Sequence, residues 1–140
     1  MASPAGPGGS PPVAQLMPSL AVSAKGMSVQ QGFLEIIARN IANAETTQVP
    51  GGGPYRRQTA TAQVNGPNGA ITTKVATDPA PGRLVYDPGH PDADENGFVE
   101  YPNVNVQNEL VDLMVVRRWY EANATVFQAA KRMLKRAMDI

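Results

Sequence analysis

Leu20, Met27, Leu34 and Ile41 recur every seven residues along one stretch of the chain, and Val106, Leu113, Tyr120, Phe127 and Leu134 do so along another. A seven-residue apolar repeat averages 3.5 residues per turn, which sets one face of a helix against a partner helix. Ala24, Ile37 and Ala44 fall on or beside the first face, and Leu110, Ala124 and Met138 on or beside the second. The spacing predicts two long helices, one at each end of the chain. Proline placement agrees: all 13 prolines lie at or before Pro18 or between Pro50 and Pro102. The first helix is expected to start near Pro18–Ser19 and to end around Asn43–Thr47, ahead of Pro50 and Gly51–Gly53. Gly26 and Gly32 interrupt it at about 1 kcal/mol each relative to alanine, so it is weak in isolation. The second helix has no such gap. Asn105 is a good N-cap, Glu109 and Asp112 sit near the positive end, and Lys131, Arg132, Lys135 and Arg136 crowd the negative end.

Between the helices the period changes to two. Residues 55–64 are threonine-rich and alternating, 65–69 read Asn-Gly-Pro-Asn-Gly, and 70–77 alternate again with Ile71 and Val75 on one face. That is a hairpin with a five-residue loop. Short strands are expected at Arg83–Tyr86 and Phe98–Tyr101, joined by the loop 87–97. The fold class is α+β: long N- and C-terminal helices pairing as a coiled coil, with a small β-rich middle. The chain divides into a disordered Pro/Gly-rich extension (1–15), a helix (16–47), a small β-rich domain (48–104) and a second helix (105–140).

A middle of some fifty residues buries a thin core and cannot cover a helix about 50 Å long. The apolar seams are therefore expected to dock on adjoining copies, and the isolated chain to be poorly helical. The charge balance is neutral, with 12 basic and 12 acidic residues, which gives no basic stripe of the kind a nucleic-acid binder carries and little repulsion against self-association. The absence of cysteine excludes disulfides, thiolate catalysis and cysteine-ligated zinc. No run of about 18 apolar residues exists to span a membrane. Residues 1–12 lack the positive region and apolar core of a cleavable signal peptide, so any export is expected to use another route.

Candidate chemistry centres on the loop around His90, the chain's one histidine. Asp92-x-Asp94-x-Asn96-Gly97 matches the first half of an EF-hand calcium loop, but the twelfth position is Asn103 where a bidentate glutamate is needed, and Pro88 and Pro91 forbid the preceding helix. A looser metal site from Asp87, His90 and Asp92 would support a small metal-dependent hydrolase, the enzymatic alternative. The structural reading is a rigid loop with Gly89 and Gly97 at positive φ. Gly51–Gly53 lacks the lysine and helix start of a phosphate loop. Tyr55-Arg56-Arg57 reads as a strand surface or protein contact, Tyr120 as core, and Trp119, off the ladder, as a contact to a neighbouring chain. No catalytic residue, metal, cofactor, nucleic acid or small-molecule substrate is expected. Asn40 and Asn43, three apart at the helix end, are suited to capping free carbonyls or entering the left-handed region.

Asn40-Ile-Ala-Asn43-Ala-Glu-Thr46 at the end of the first helix resembles the signature of the bacterial flagellar axial family of rod and hook proteins. Gly53-Pro54-Tyr55-Arg56-Arg57, the segment Tyr86–Val99, Tyr101–Asn105 and Arg118-Trp-Tyr120-Glu-Ala-Asn123 are similar to the proximal rod proteins of that family, over about residues 16–140. Within these segments the motif positions are Asn40, Asn43, Thr46, Pro54, Tyr55, Arg56, Asp87, His90, Pro91, Asn96, Gly97, Tyr120 and Asn123. The resemblance implies a non-enzymatic subunit of the periplasmic rod of the basal body, exported by the flagellar type III system and polymerised into the drive shaft. Another axial component is the alternative. The partners implied are copies of itself, other rod proteins, the export-gate and MS-ring junction, and surrounding ring proteins. Helix packing and assembly would then rest on Leu20, Met27, Leu34, Ile37, Ile41, Leu110, Leu113, Tyr120, Phe127 and Leu134. Residues 1–15 depart from the family pattern.

Overall fold

The computed structural model describes residues 12–139. Helix α1 spans Pro12–Ala42 and helix α2 spans Val106–Met138, with four strands between them: β1 (Gln58–Asn65), β2 (Ala70–Thr77), β3 (Arg83–Tyr86) and β4 (Phe98–Tyr101). The fold is α+β, as the periodicities imply. Two antiparallel hairpins form two separate two-stranded sheets, β1–β2 and β3–β4. Register runs from Gln58 opposite Thr77 to Asn65 opposite Ala70 in the first, and from Arg83 opposite Tyr101 to Tyr86 opposite Phe98 in the second. Residues 55–57, expected to open the first strand, are instead an extended link anchored by its side chains.

α1 begins at Pro12, six residues ahead of the expected start, and takes Pro18 into its interior. Leu16 is buried four residues before Leu20 and seven before the buried Ser23, so the packed face continues through this turn. That burial works against the roughly 3 kcal/mol that an internal proline costs. Of the extension expected over 1–15, residues 1–11 lie outside the described residues and the last four belong to α1. At the other terminus Asn105 caps α2 as expected, its side-chain oxygen accepting the N–H of Asn108 at 3.1 Å.

The two helices pack on each other, and the first hairpin packs on α1. The helices run antiparallel: Asn40 meets Glu109 near one end, and Gln30 meets Asn123 further along. The seams thus find partners within the chain, which corrects the expectation that each needs an adjoining copy. On α2 the positions turned inward are Glu109, Leu113, Val116, Tyr120, Asn123, Phe127, Ala130 and Leu134, all buried or half-buried, at alternating spacings of four and three. The ladder Leu113–Tyr120–Phe127–Leu134 is half of that set. Leu110, one position past the inward Glu109, lies off it at 44% exposed, and Val106 and Met138 at the two helix ends are 40% and 74% exposed.

Gly26 and Gly32 are points of close approach rather than flaws. A Cβ at Gly26 would stand 3.0 Å from the Asn123 side-chain nitrogen, and one at Gly32 would stand 2.7 Å from the Thr73 hydroxyl. The first glycine lets α2 come near, and the second lets the β1–β2 hairpin lie against α1. The core is thin: Leu16, Val29, Ile36, Val116 and Ala130 from the helices, and Ala44, Val99 and Val104 from the base of the middle region.

Candidate functional site

The end of α1, the start of α2 and the link into β1 meet at one buried polar junction. Asn40 and Glu109 are each 1% exposed. The Asn40 amide nitrogen donates to the Gln58 carbonyl at 2.8 Å and to Glu109 Oε2 at 3.4 Å. Its oxygen accepts the Gln58 N–H at 2.9 Å and the Tyr55 hydroxyl at 2.7 Å. One side chain thereby ties both helices to the first strand. Arg57 donates to the other oxygen of Glu109 and, at 3.4 Å, to Asp78. The Arg57 N–H donates to Asn103 at 2.7 Å, and the Asn103 amide donates to the carbonyls of Asp78 and Ala80 at 3.2 and 3.0 Å.

A carboxylate this deep needs a cation and further donors, and Glu109 has both. The hydrogen bond to Glu109 raises the Arg57 guanidinium above its ordinary pKa; burial opposes this, and Asp78 reinforces it. Burial pushes the Tyr55 hydroxyl up; the Arg39 charge pulls it back, and Glu109 adds to the rise. Every buried side-chain nitrogen or oxygen among the described residues has a hydrogen-bond partner.

Asn43 has the role expected of it. Its amide donates to the Arg39 carbonyl at 2.9 Å, closing α1, and its oxygen accepts the Thr46 hydroxyl at 3.1 Å. Asn40 does not cap the helix, and no described residue other than glycine has a positive φ. Pro54 is buried beside Tyr55 in the link.

The remaining motif residues build and tether the second hairpin. Arg56 donates to Glu100 at 3.1 Å and to the Ala80 carbonyl at 3.3 Å. Thr47 donates to Asp92 at 2.6 Å. Asp94 accepts the N–H groups of Asn96 and Phe98, each at 2.9 Å, so the acidic loop closes on itself. The Asp87 N–H donates to the Gly97 carbonyl at 2.8 Å. Gly97 takes the expected positive φ, at 85°, and Gly89 does not. His90 Nδ1 accepts the Asp92 N–H at 3.0 Å, with the ring edge-on to Tyr101. Pro91 follows it, exposed. No group of His, Asp or Glu among the described residues is placed to hold a metal ion.

Asn123 lies in the helix seam, where it donates to Gln30 at 3.0 Å. Tyr120 and Phe127 flank it, half-buried, as are Leu20, Met27, Leu34, Ile37 and Ile41 on α1.

A second apolar stripe runs along α2: Val111, Val115, Trp119, Ala122, Val126, Ala129, Met133 and Ala137, spaced by fours and threes. At 100° per residue it covers about 80° of arc, centred about 110° round from the inward seam. Trp119 is 53% exposed, and Val111, Val126 and Met133 are similarly open. Where the stripe starts, Val115 and Trp119 join Phe33, Ile36 and Ile37 of α1 and Gln58–Ala60 of β1 around a groove of about 270 Å³. The junction ties both helices to the first strand, and the stripe is left exposed within the chain.

Residues 95–140 match the family described as flagellar basal body rod FlgEFG protein C-terminal. Over 89% of its length the chain is 37% identical to the flagellar basal-body rod protein FlgC of Borreliella burgdorferi, 97% of which is covered. The protein of the same name from Escherichia coli O6:H1 is 38% identical, over 85% of this chain and 92% of the relative. That from Bacillus subtilis is 37% identical, over 87% and 95%. With such identity along nearly the whole of each relative, the chain belongs to the FlgC family of flagellar basal-body rod proteins.

Proposed function

We propose that the chain is a structural subunit of the proximal rod of the flagellar basal body, with no enzymatic role. It leaves the cell through the flagellar type III export system and polymerises into the periplasmic drive shaft. The observation that carries this reading is the uncovered apolar stripe of α2 beside a seam already closed by α1. A stripe about 40 Å long with no charged residue on it is suited to helix docking by neighbouring subunits. Those neighbours are copies of the chain, other rod proteins, the export-gate and MS-ring junction at the base, and the surrounding rings. The alternating four–three seam supports a coiled-coil pairing of the two helices inside each subunit. Contacts between unlike faces, repeated without closing, give a helical tube.

The motif residues serve the same end. Asn40, Tyr55 and Glu109 set how the middle region projects from the helical pair, Thr46 closes the end of α1 with Asn43, and Arg56 and Asp87–Gly97 shape that region's outer hairpin and its tether. His90 is engaged in the loop's own hydrogen bonding, which weighs against the hydrolase alternative.

Val126→Asp tests the reading. It places a charge in the stripe at a position α1 does not cover. In a flagellated host lacking its own copy of this protein, the variant is expected to be made and exported at normal levels yet to leave basal bodies without a complete rod. Complete rods and normal swimming would overturn the proposal.

A further inference from the structure

The stripe has a basic border. Arg118, Arg132 and Arg136 lie along the edge remote from α1, and all three are exposed. From Ala122 to Met138 the helix holds no acidic residue. Arg117, further round, is paired with Glu121 at 3.2 Å. An apolar face with tryptophan, valine and methionine, flanked by arginine, is the pattern of a helix that lies in the plane of a membrane surface. No described helix is long and apolar enough to cross a membrane.

We propose that α2, while no neighbour covers it, adsorbs along its length to an anionic lipid bilayer. Val126, Met133 and Trp119 enter the boundary between headgroups and acyl chains, and the arginines extend along that boundary to the lipid phosphates. This goes beyond the rod reading and does not depend on it.

Charge selects this occupant over two others. A second copy laid antiparallel on the same stripe about Val126 would bring Arg118 level with Arg132 and Arg136, cation against cation. The acidic loop of another copy is short, and two of its carboxylates, Asp92 and Asp94, already accept hydrogen bonds within their own chain. A bilayer presents a continuous negative surface as long as the stripe.

Trp119 is the chain's one tryptophan and reports directly on the face. The full chain is titrated with vesicles of phosphatidylcholine and phosphatidylglycerol in equal parts, and with phosphatidylcholine alone. The expected result is a blue shift of Trp119 emission and co-sedimentation with the anionic vesicles only, weakening as salt is raised. Neutralising one border cation removes about five-fold in partitioning, so Arg132→Gln with Arg136→Gln removes about twenty-five-fold. Both positions are exposed, and circular dichroism checks that helix content is kept. No binding to either vesicle would overturn the proposal. So would equal binding to pure phosphatidylcholine.

Discussion

Asn40 uses all four hydrogen-bonding positions of its amide: two donors to the Gln58 carbonyl and Glu109, and two acceptor positions taken by the Gln58 N–H and the Tyr55 hydroxyl. Asn40→Asp keeps the shape and exchanges the donor for a second carboxylate against Glu109 and a carbonyl. Loss of the donated bonds and like-charge repulsion are together expected to cost about 3 kcal/mol at neutral pH, read by chemical denaturation. An unchanged midpoint would show that the junction is not a structural lock. The same site gives an alkaline signature. Tyr55 has its folded pKa raised above its ordinary 10.0, so the folded state holds the phenolic proton more tightly. The stabilisation is fully present below that value and is lost as pH rises through the higher folded value. Stability is expected to fall more steeply above pH 10 in the native chain than in Tyr55→Phe, whose own loss at neutral pH is about 1 kcal/mol. Identical slopes would refute the assignment. In the sequence Asn40 reads as a helix terminator, because its partners Tyr55, Gln58 and Glu109 are up to 69 residues away and only the tertiary fold brings them together.

At the scale of elements, local signals were the legible ones. The cap at Asn105, the strand limits of the second hairpin and the turn after Asn65 follow from turn residues and two-residue alternation, which act within a few positions. Pairing information was not legible. Glu109 and Asn123 are polar, so an apolar search passes over them, yet they are seam positions of α2. Gly32 looks like a propensity penalty until Thr73 is placed above it. Gly32→Ala is expected to push the β1–β2 hairpin off α1 and to destabilise the chain by about 1–3 kcal/mol, despite alanine's helical advantage. Adding Thr73→Ala removes the obstructing hydroxyl and methyl. The double variant should recover most of the loss, so the two changes couple in a double-mutant cycle. Simple additivity would mean that the hairpin does not need this contact.

For the whole molecule, α2 belongs to two interfaces at once, one closed within the chain and one left open. Phe127 and Val126 are neighbours in sequence but stand about 100° apart on the helix, so they separate the two. Phe127 is half-buried in the seam against α1, and Val126 is exposed on the stripe. Phe127→Ala is expected to cost about 3 kcal/mol in the dilute monomer, at the low end for a phenylalanine because the ring is partly exposed. Val126→Ala should stay within about 0.5 kcal/mol there, since a surface truncation removes little. Association should show the converse: concentrated Val126→Ala protein assembles more weakly with its partners, while any Phe127→Ala chain that remains folded keeps the stripe intact. Chemical denaturation at low concentration and sedimentation at high concentration read the two effects separately. If Val126→Ala melts the monomer as strongly as Phe127→Ala does, α2 has one face and not two, and both the rod reading and the membrane reading lose the surface on which they stand.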